Sequence, residues 1–594
     1  MKTLPINANG KVDRQALPKP RYNLRELSTD YIAPTSKTEE VLVALWSQLL
    51  GVKEVGTSDN FFDLGGDSIV NIQIVSAARE KGIEITPQQI FDYPTIGELS
   101  AVAGVVSLVI AEQSVVTGEL PLLPSQHRFF SHSPVQVNAF YQSVCLEHNG
   151  KFSTSVLNQA LQQLLLQHDG LRSHFKQSLQ GWSQYIQPPK NQNNLVIEVT
   201  DQIACSPAVE ALETNKQQAL LQSEIDIQSG KLVAARHIIF TASQRHVLLI
   251  SMHHLVVDGV SWWVLLNDLE RCCKQILLDT PITLPAKGCS VQQWSNALSE
   301  HANSKNINDS LNYWTQQNQL ASVTSLFAFK PVDIDQQPVI KESNLYLDQT
   351  STSQLMHEVP SAFSIQLPEV LLTALLQTLN LLLDPLSPQK KLLIDMEGHG
   401  REGILQGYDV MRTVSWFTSV YPLLLDMPQQ QNLGDALKAT KEHLRRIPNS
   451  GVEYGILRYL SASNDVQEKL KLAPQASVLF NYMGQWERTL AAYSQFKFIK
   501  PIAAHHAEKR LGSYALELNA MIFEGQLQAS WTYDAKRITP EQVNLIESHF
   551  IEQLQGLIKY CLSGEQIGLT PADFKAAELQ QDDLDDILSE FGEE

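Results

Sequence analysis

Cysteine is scarce and unpatterned in this chain. The six cysteines, Cys145, Cys205, Cys272, Cys273, Cys289 and Cys561, form no Cys-x-x-Cys pair and no regular framework. That argues against a disulfide scaffold and a structural zinc site, and fits reduced thiols in a cytosol. Long apolar runs are missing too. The longest near the front, Val105-Val106-Ser107-Leu108-Val109-Ile110, is too short to cross a bilayer, and the opening residues do not read as a signal peptide. Positive charge is in short supply: 45 Lys and Arg against 64 Asp and Glu leave a net charge of −19. Such a surface counts against nucleic acid as a partner. The expectation is a cytoplasmic monomer with no metal, no nucleic-acid partner and no membrane partner.

What is present is ordinary globular material, with 43% apolar and 18% charged residues over 594 positions. That length is enough for about three or four domains. The most telling run is Leu64-Gly65-Gly66-Asp67-Ser68-Ile69-Val70, preceded by Asp59-Asn60-Phe61-Phe62-Asp63. It puts a serine after a glycine turn and at the start of an apolar-periodic helix, whose free N–H groups favour a phosphate. By itself the pattern also fits a glycine-rich turn ahead of an N-cap serine. The run resembles the phosphopantetheine attachment site of peptidyl carrier domains in nonribosomal peptide synthetases. The resemblance implies a covalent 4'-phosphopantetheine on Ser68, added by a phosphopantetheinyl transferase.

Downstream, His253-His254-Leu255-Val256-Val257-Asp258-Gly259 is similar to the His-His-x-x-x-Asp-Gly signature of the condensation-domain superfamily. The two signatures stand in family order, so nearly the whole chain resembles a piece of such a synthetase. A histidine with a reference pKa of ~6.5 can accept and return a proton near neutrality. Family analogy implies that His254 faces a tunnel and His253 is packed. Asp258 is expected to hold the loop through a salt bridge or backbone bonds, and Ser261 to cap a helix beginning at Trp262.

Four further runs resemble hallmarks of the epimerization subgroup. They are Glu397-Gly398-His399-Gly400-Arg401-Glu402, Arg412-Thr413-Val414-Ser415-Trp416-Phe417-Thr418-Ser419, Ile447-Pro448-Asn449-Ser450-Gly451-Val452-Glu453-Tyr454-Gly455, and Phe480-Asn481-Tyr482-Met483-Gly484-Gln485. Ser415 departs from the pattern, which usually has glycine there. Inverting an amino acid means removing the Cα proton from one face and returning a proton to the other. Two opposed acid/base groups do this, and His254 and Glu397 suit the roles. A glutamate with a reference pKa of ~4.3 must be partly buried to donate protons at neutral pH. Asn481 and Tyr482 are candidate donors to the enolate oxygen formed when Cα loses its proton.

The expected fold class is α+β and multidomain: a small helical-bundle carrier, then two chloramphenicol-acetyltransferase-like α/β lobes in a V-shaped pseudo-dimer. Residues 1–20 resemble the end of an adenylation domain, in which Lys11 would contact the adenylate, and Met1 reads as an internal methionine. A linker at 21–35 leads to the carrier at 36–105, and a second linker at 106–119 to lobes at 120–295 and 296–575. In the carrier, Ser36-Lys37-Thr38-Glu39 is a capping box, with Val41, Leu42, Leu45, Trp46 and Leu49 on one face. In the tail at 576–594, Leu584, Ile587, Leu588 and Phe591 fall at helical spacing among eight acidic residues. The tail resembles a docking segment toward a separate downstream synthetase, and the adenylation domain is the expected upstream partner. Two rivals stand beside epimerization. One is a condensation catalyst, which needs an acceptor carrier downstream where only about 20 residues follow Phe574. The other is a non-catalytic carrier and docking scaffold.

Overall fold

The computed structural model describes residues 31–105, 111–132, 136–189, 199–202, 206–319, 326, 338–360, 365–383, 390–427, 432–485, 494–505, 514–563, 570, 571 and 573. The adenylation-like segment at 1–20 and the acidic tail at 576–594 lie outside the described residues.

The carrier is built on four helices, α1 (Lys37–Leu50), α2 (Ser68–Glu80), α3 (Pro87–Asp92) and α4 (Ile96–Val102), with a short ladder between β1 (Ile83–Glu84) and β2 (Gly104–Val105). The capping box forms, with the Glu39 N–H on Ser36 Oγ at 3.1 Å and the Ser36 N–H on Glu39 Oε2 at 2.9 Å. Leu42, Leu45, Trp46 and Leu50 are buried, while Val41 and Leu49 pack at the margin. Asp67 begins α2 by accepting the Val70 N–H at 2.8 Å. The turn before it must be glycine for a steric reason: a Cβ on Gly66 would lie 2.4 Å from the Phe61 ring, itself edge-on to Trp46. So the turn that precedes Ser68 is pressed directly onto the carrier's small core.

The rest of the chain organises two larger sheets. The first half supplies β3 (Gly118–Leu120), α5 (Pro124–Ser131), β4 (Tyr141–His148), α6 (Thr154–Gln167), β5 (Ser173–Ser178), β6 (Gly181–Ile186), β7 (Val199–Gln202), α7 (Pro207–Gln222), β8 (Val233–Phe240), β9 (Arg245–His253) and α8 (Gly259–Leu277). The second supplies β10 (Ile340–Tyr346), α9 (Leu367–Asn380), β11 (Lys391–Gly398), β12 (Ser419–Asp426), β13 (Val478–Gln485), β14 (Phe496–His505), β15 (Leu516–Phe523), β16 (Gln526–Asp534) and α10 (Pro540–Cys561). The five-stranded sheet runs β14-β4-β9-β8-β7 and the six-stranded sheet β10-β16-β15-β13-β11-β12, both mixed. Strand β9 shows why its centre, Val247 to Ile250, is apolar at every position. Leu248, Ile250 and Met252 face one cluster, with α6 and α8, and Val247 and Leu249 the other, with α7; period-2 alternation buries both faces.

One strand crosses between the halves: β14 pairs with β4 and buries Phe496 and Phe498 in the first lobe's core. One expectation is corrected. Helix α8 starts at Gly259, not Trp262, and its N-cap is Asp258, which accepts the Ser261 N–H at 2.7 Å. Asp is as good an N-cap as Ser, and it is the last residue with extended backbone before the helix. Among the described residues, no helix is long and apolar enough to cross a membrane.

Candidate functional site

Strand β9 ends at His253, opposite Tyr141 of β4, and the chain then turns sharply through His254. The two histidines have opposite surroundings. His253 is fully buried, its Nε2 lies 2.8 Å from the Val137 carbonyl and its Nδ1 accepts the Leu255 N–H at 3.2 Å. The proton therefore sits on Nε2, both nitrogens are engaged, and burial holds the ring down at about 3 despite the Val137 bond. His253 is a neutral structural post.

His254 is only partly buried. Its ring stacks on Phe140 and leans on Trp416, each with centroids 4.7 Å away. Its Nε2 lies 3.0 Å from the side-chain nitrogen of Gln142, whose oxygen accepts the Trp262 indole N–H at 2.9 Å. An indole only donates, so the Gln142 oxygen must face Trp262 and its NH2 must face His254. In its neutral form His254 thus accepts on Nε2 and carries its proton on Nδ1. Gln142 was not among the sequence candidates. It is one polar residue on a strand, and nothing in its local pattern distinguishes it.

Asp258 takes part in a junction between the two halves. Arg401 Nη2 reaches Asp258 Oδ1 at 2.9 Å and Oδ2 at 3.1 Å, and the Phe417 N–H donates to Oδ2 at 2.9 Å. The same guanidinium donates to the Val410 and Thr413 carbonyls and to Ser261 Oγ, and stacks over the Phe417 ring at 4.2 Å. This fully buried arginine joins the His-His-x-x-x-Asp-Gly loop to the Glu397–Arg401 run and to the 412–419 run. Gly400 permits the approach: it adopts φ +68°, and a Cβ there would sit 1.8 Å from the Phe417 carbonyl. Ser415, the departure from the family pattern, bonds Ser261 through its backbone, its carbonyl accepting from Ser261 Oγ at 2.9 Å.

Glu397 is the penultimate residue of β11, half-buried, opposite Val420 of β12. Its neighbour Gly398 pairs with Ser419, three residues beyond the Trp416 that braces His254. Three residues span at most ~10 Å, so one short segment ties the two candidate acid/base groups together. Helix α5 ties them a second time. Ser125 donates to the Trp416 carbonyl at 2.6 Å, and one turn on, Arg128 donates to the Tyr514 hydroxyl at 2.5 Å, which donates to Asp395 Oδ2 at 2.5 Å. Burial alone would lower the Arg128 pKa, but Tyr514, Asp395, Tyr459 and Glu397 together raise it, so it remains a cation beside Glu397. Arg128 and Tyr514 were also missed, since they lie 386 residues apart. Glu402, in the same loop as Glu397, is raised by burial against the pull of His399.

Asn481 and Tyr482 lie on β13. Asn481 donates to the Asn519 side chain at 3.1 Å, using one of its amide hydrogens to cross to β15, and Tyr482 packs on the second lobe's core. A register irregularity follows between Tyr482 and Gln485, and it turns Gln485 outward to the carrier, where its amide donates to the Gly65 carbonyl at 3.2 Å. Around that point Val260 and Met411 are buried in the carrier's own cluster. Arg79 pairs with Asp409 at 2.7 Å, and Arg412 pairs with Asp268 at 2.6 Å and approaches Glu80 at 3.9 Å. The carrier therefore lies with α2 along the second part of the chain, its preceding glycine turn at Gln485 and its last residues at Asp409 and Arg412. Ser68, first residue of a 13-residue helix behind a two-glycine turn, fits the attachment of a phosphodiester.

Residues 116–580 match the family described as Condensation domain, and residues 40–103 the family described as Phosphopantetheine attachment site. A linear gramicidin synthase protein from Brevibacillus parabrevis is 35% identical over 584 residues, covering 98% of this chain and 11% of that protein. Surfactin synthase subunit 1 of Bacillus subtilis (strain 168) is 34% identical over 591 residues, 99% of this chain and 16% of that protein. The chain thus spans a small part of the curated relatives it matches. Among solved structures, the epimerization domain from the third module of tyrocidine synthetase B superposes with a TM-score of 0.68 at 29% identity, covering 77% of this chain and 99% of that one. The first condensation domain of the CDA synthetase superposes with a TM-score of 0.56 at 15% identity over 76% of this chain and 98% of that one, a likeness of fold alone.

Proposed function

This chain belongs to the condensation-domain family, and we propose that it inverts the Cα configuration of an aminoacyl or peptidyl group carried as a thioester on Ser68, with His254 and Glu397 as the acid/base pair. The attachment domain ahead of it carries a covalent 4'-phosphopantetheine, whose thioester, when loaded, acidifies Cα. The observation that carries the reading is the Asp258–Arg401 clasp. It joins the loop that follows Glu397 to the loop that follows His254, and the carrier's glycine turn bonds Gln485 of β13, which supports a shared site for the three.

Two groups contributed by different sheets can address opposite faces of one tetrahedral carbon. His254 takes a proton on its Nε2 lone pair once the Gln142 bond is released, and the imidazolium so formed returns a proton from the same nitrogen. Glu397 accepts or returns the other proton, with the Arg128 cation nearby. Asn481 and Tyr482 are the donors proposed for the negative charge that develops on the substrate carbonyl. The adenylation domain upstream and a synthetase reached through the acidic tail are the partners proposed for loading and for release.

The test uses holo protein loaded with an L-aminoacyl group in deuterated water. The loaded group should gain deuterium at Cα and drift to an L/D mixture. His254→Ala and Glu397→Gln should each slow this by at least ~10²-fold, and Ser68→Ala should prevent loading. Amide formation with an acceptor thioester and no deuterium at Cα would instead identify a condensation catalyst. Neither reaction would leave a scaffold.

A further inference from the structure

At the end of the first sheet farthest from His254 lies a cluster that the proposed reaction does not use. Along β4 and β9, Tyr141 faces His253 at one end and His148 faces His246 at the other, seven residues or roughly 24 Å away at ~3.4 Å per residue. On the next strand His237 completes a group of three imidazoles whose ligand atoms all lie within 4.8 Å of one another. His148 Nε2 is 3.2 Å and His246 Nδ1 3.4 Å from His237 Nε2. We propose that His148, His237 and His246 form a binding site for a divalent first-row transition metal, zinc by preference, which pins β14 and the 149–153 turn to the sheet that carries His253 and His254.

The geometry is the argument. Nitrogen ligands about 2.0–2.1 Å from a tetrahedral zinc are separated by about 3.3–3.4 Å, which is the spacing of these two nitrogen pairs. Imidazole suits zinc and its neighbours in the row. The outer contacts suit ligation as well. Thr154 Oγ1 lies 2.9 Å from His237 Nδ1, so it can hold the proton there and leave Nε2 to the metal. His148 and His237 are buried, so the site lies within the sheet and not on its surface. The adjacent charges, Glu147 and Arg245, are paired with each other at 2.9 Å. The three histidines are thus the protein ligands, His246 being the least buried of them, and a water is the proposed fourth. One contact yields on binding: the Gly150 N–H to His148 Nδ1 at 3.3 Å, because that nitrogen must carry the proton once Nε2 ligates.

The site's effect is mechanical. His148 packs edge-on against Phe496, the first residue of β14, and beside Phe152 of the turn. A metal on His148 fixes the point where the second half's strand joins the first lobe's sheet. The cysteine pattern does not bear on it, because all three ligands are histidines.

The full chain, free of any affinity tag and stripped with a chelator, is titrated with Co²⁺ and then with Zn²⁺. One equivalent of Co²⁺ should give the intense visible absorption of four-coordinate cobalt, Zn²⁺ should displace it, and the unfolding midpoint should rise with metal. His246→Gln, at the most exposed ligand, should abolish the band while far-UV dichroism and Ser68 loading stay normal. Thr154→Val should weaken binding by ~10-fold, and His443→Gln, in the helix Leu433–Arg445 outside the cluster, should change nothing. Absence of a saturable band in the wild-type chain overturns the proposal, as does a band unchanged in His246→Gln.

Discussion

The side-chain nitrogen of Gln142 lies 3.0 Å from Nε2 of His254, and the Trp262 indole leaves it no other orientation. A donor aimed at one ring nitrogen selects the tautomer, so Gln142 keeps the lone pair of neutral His254 on Nε2. Gln142→Glu replaces that donor with an acceptor. It should cut deuterium exchange at Cα by ~10²-fold and alter the shape of its pH profile, whereas Gln142→Asn should recover part of the rate if the shorter amide still reaches. Equal rates in wild type and Gln142→Glu would remove Gln142 from any role.

The Asp258–Arg401 pair is buried on both sides. Removing one partner of such a pair strands a charge and costs ~3–5 kcal/mol. Arg401→Met should lower the urea midpoint of the lobe transition accordingly. Arg401→Met with Asp258→Leu should recover much of that loss, because no charge is then stranded, yet should not restore exchange at Cα, because the clasp between the two runs is gone. Additive losses in stability would show that the two residues are not coupled.

Carrier docking should respond to charge in a modest, salt-dependent way. Arg79 and Asp409 are each partly exposed, and such pairs contribute ~0.2–1 kcal/mol. Arg79→Glu should reduce epimerization in cis by ~2–5-fold at low salt. The added change Asp409→Arg should restore it, and salt at ~0.5 M, which shortens the Debye length to a few ångströms, should narrow every difference. A full effect that persists at high salt would point to misfolding of the carrier.

Acid should destabilise the first lobe through His253. Its pKa is about 3 when folded, because the ring is buried, against ~6.5 when unfolded. Above pH ~6.5 both states are neutral and no stability is lost. Below that the unfolded chain takes up the proton first, so stability falls by about 1.4 kcal/mol per pH unit for this residue until the folded pKa is reached. Urea midpoints between pH ~7.5 and ~5 should show this slope, and His253→Gln should be less stable at neutral pH but flatter with pH. An identical pH slope in the variant would place the acid sensitivity elsewhere.

Much of this molecule is local, and local features are legible in sequence. The capping box at Ser36, the helix opening at Ser68 and the apolar strand ending in His253-His254 each follow from residues within one or two turns of each other. Propensity, capping and periodicity act over that range. The runs around Glu397, Trp416 and Asn481 are just as visible as strings, although a string says nothing of what it will touch. Only the tertiary structure decided that Arg401 meets Asp258 across 143 residues, that Gln485 reaches Gly65 across 420, and that β14 leaves its own half to pair with β4. It also decided that Gln142, not a residue of the histidine signature, orients His254. Such contacts arise when long loops close and strands choose neighbours by burial and hydrogen-bond satisfaction, and sequence spacing carries no record of that choice.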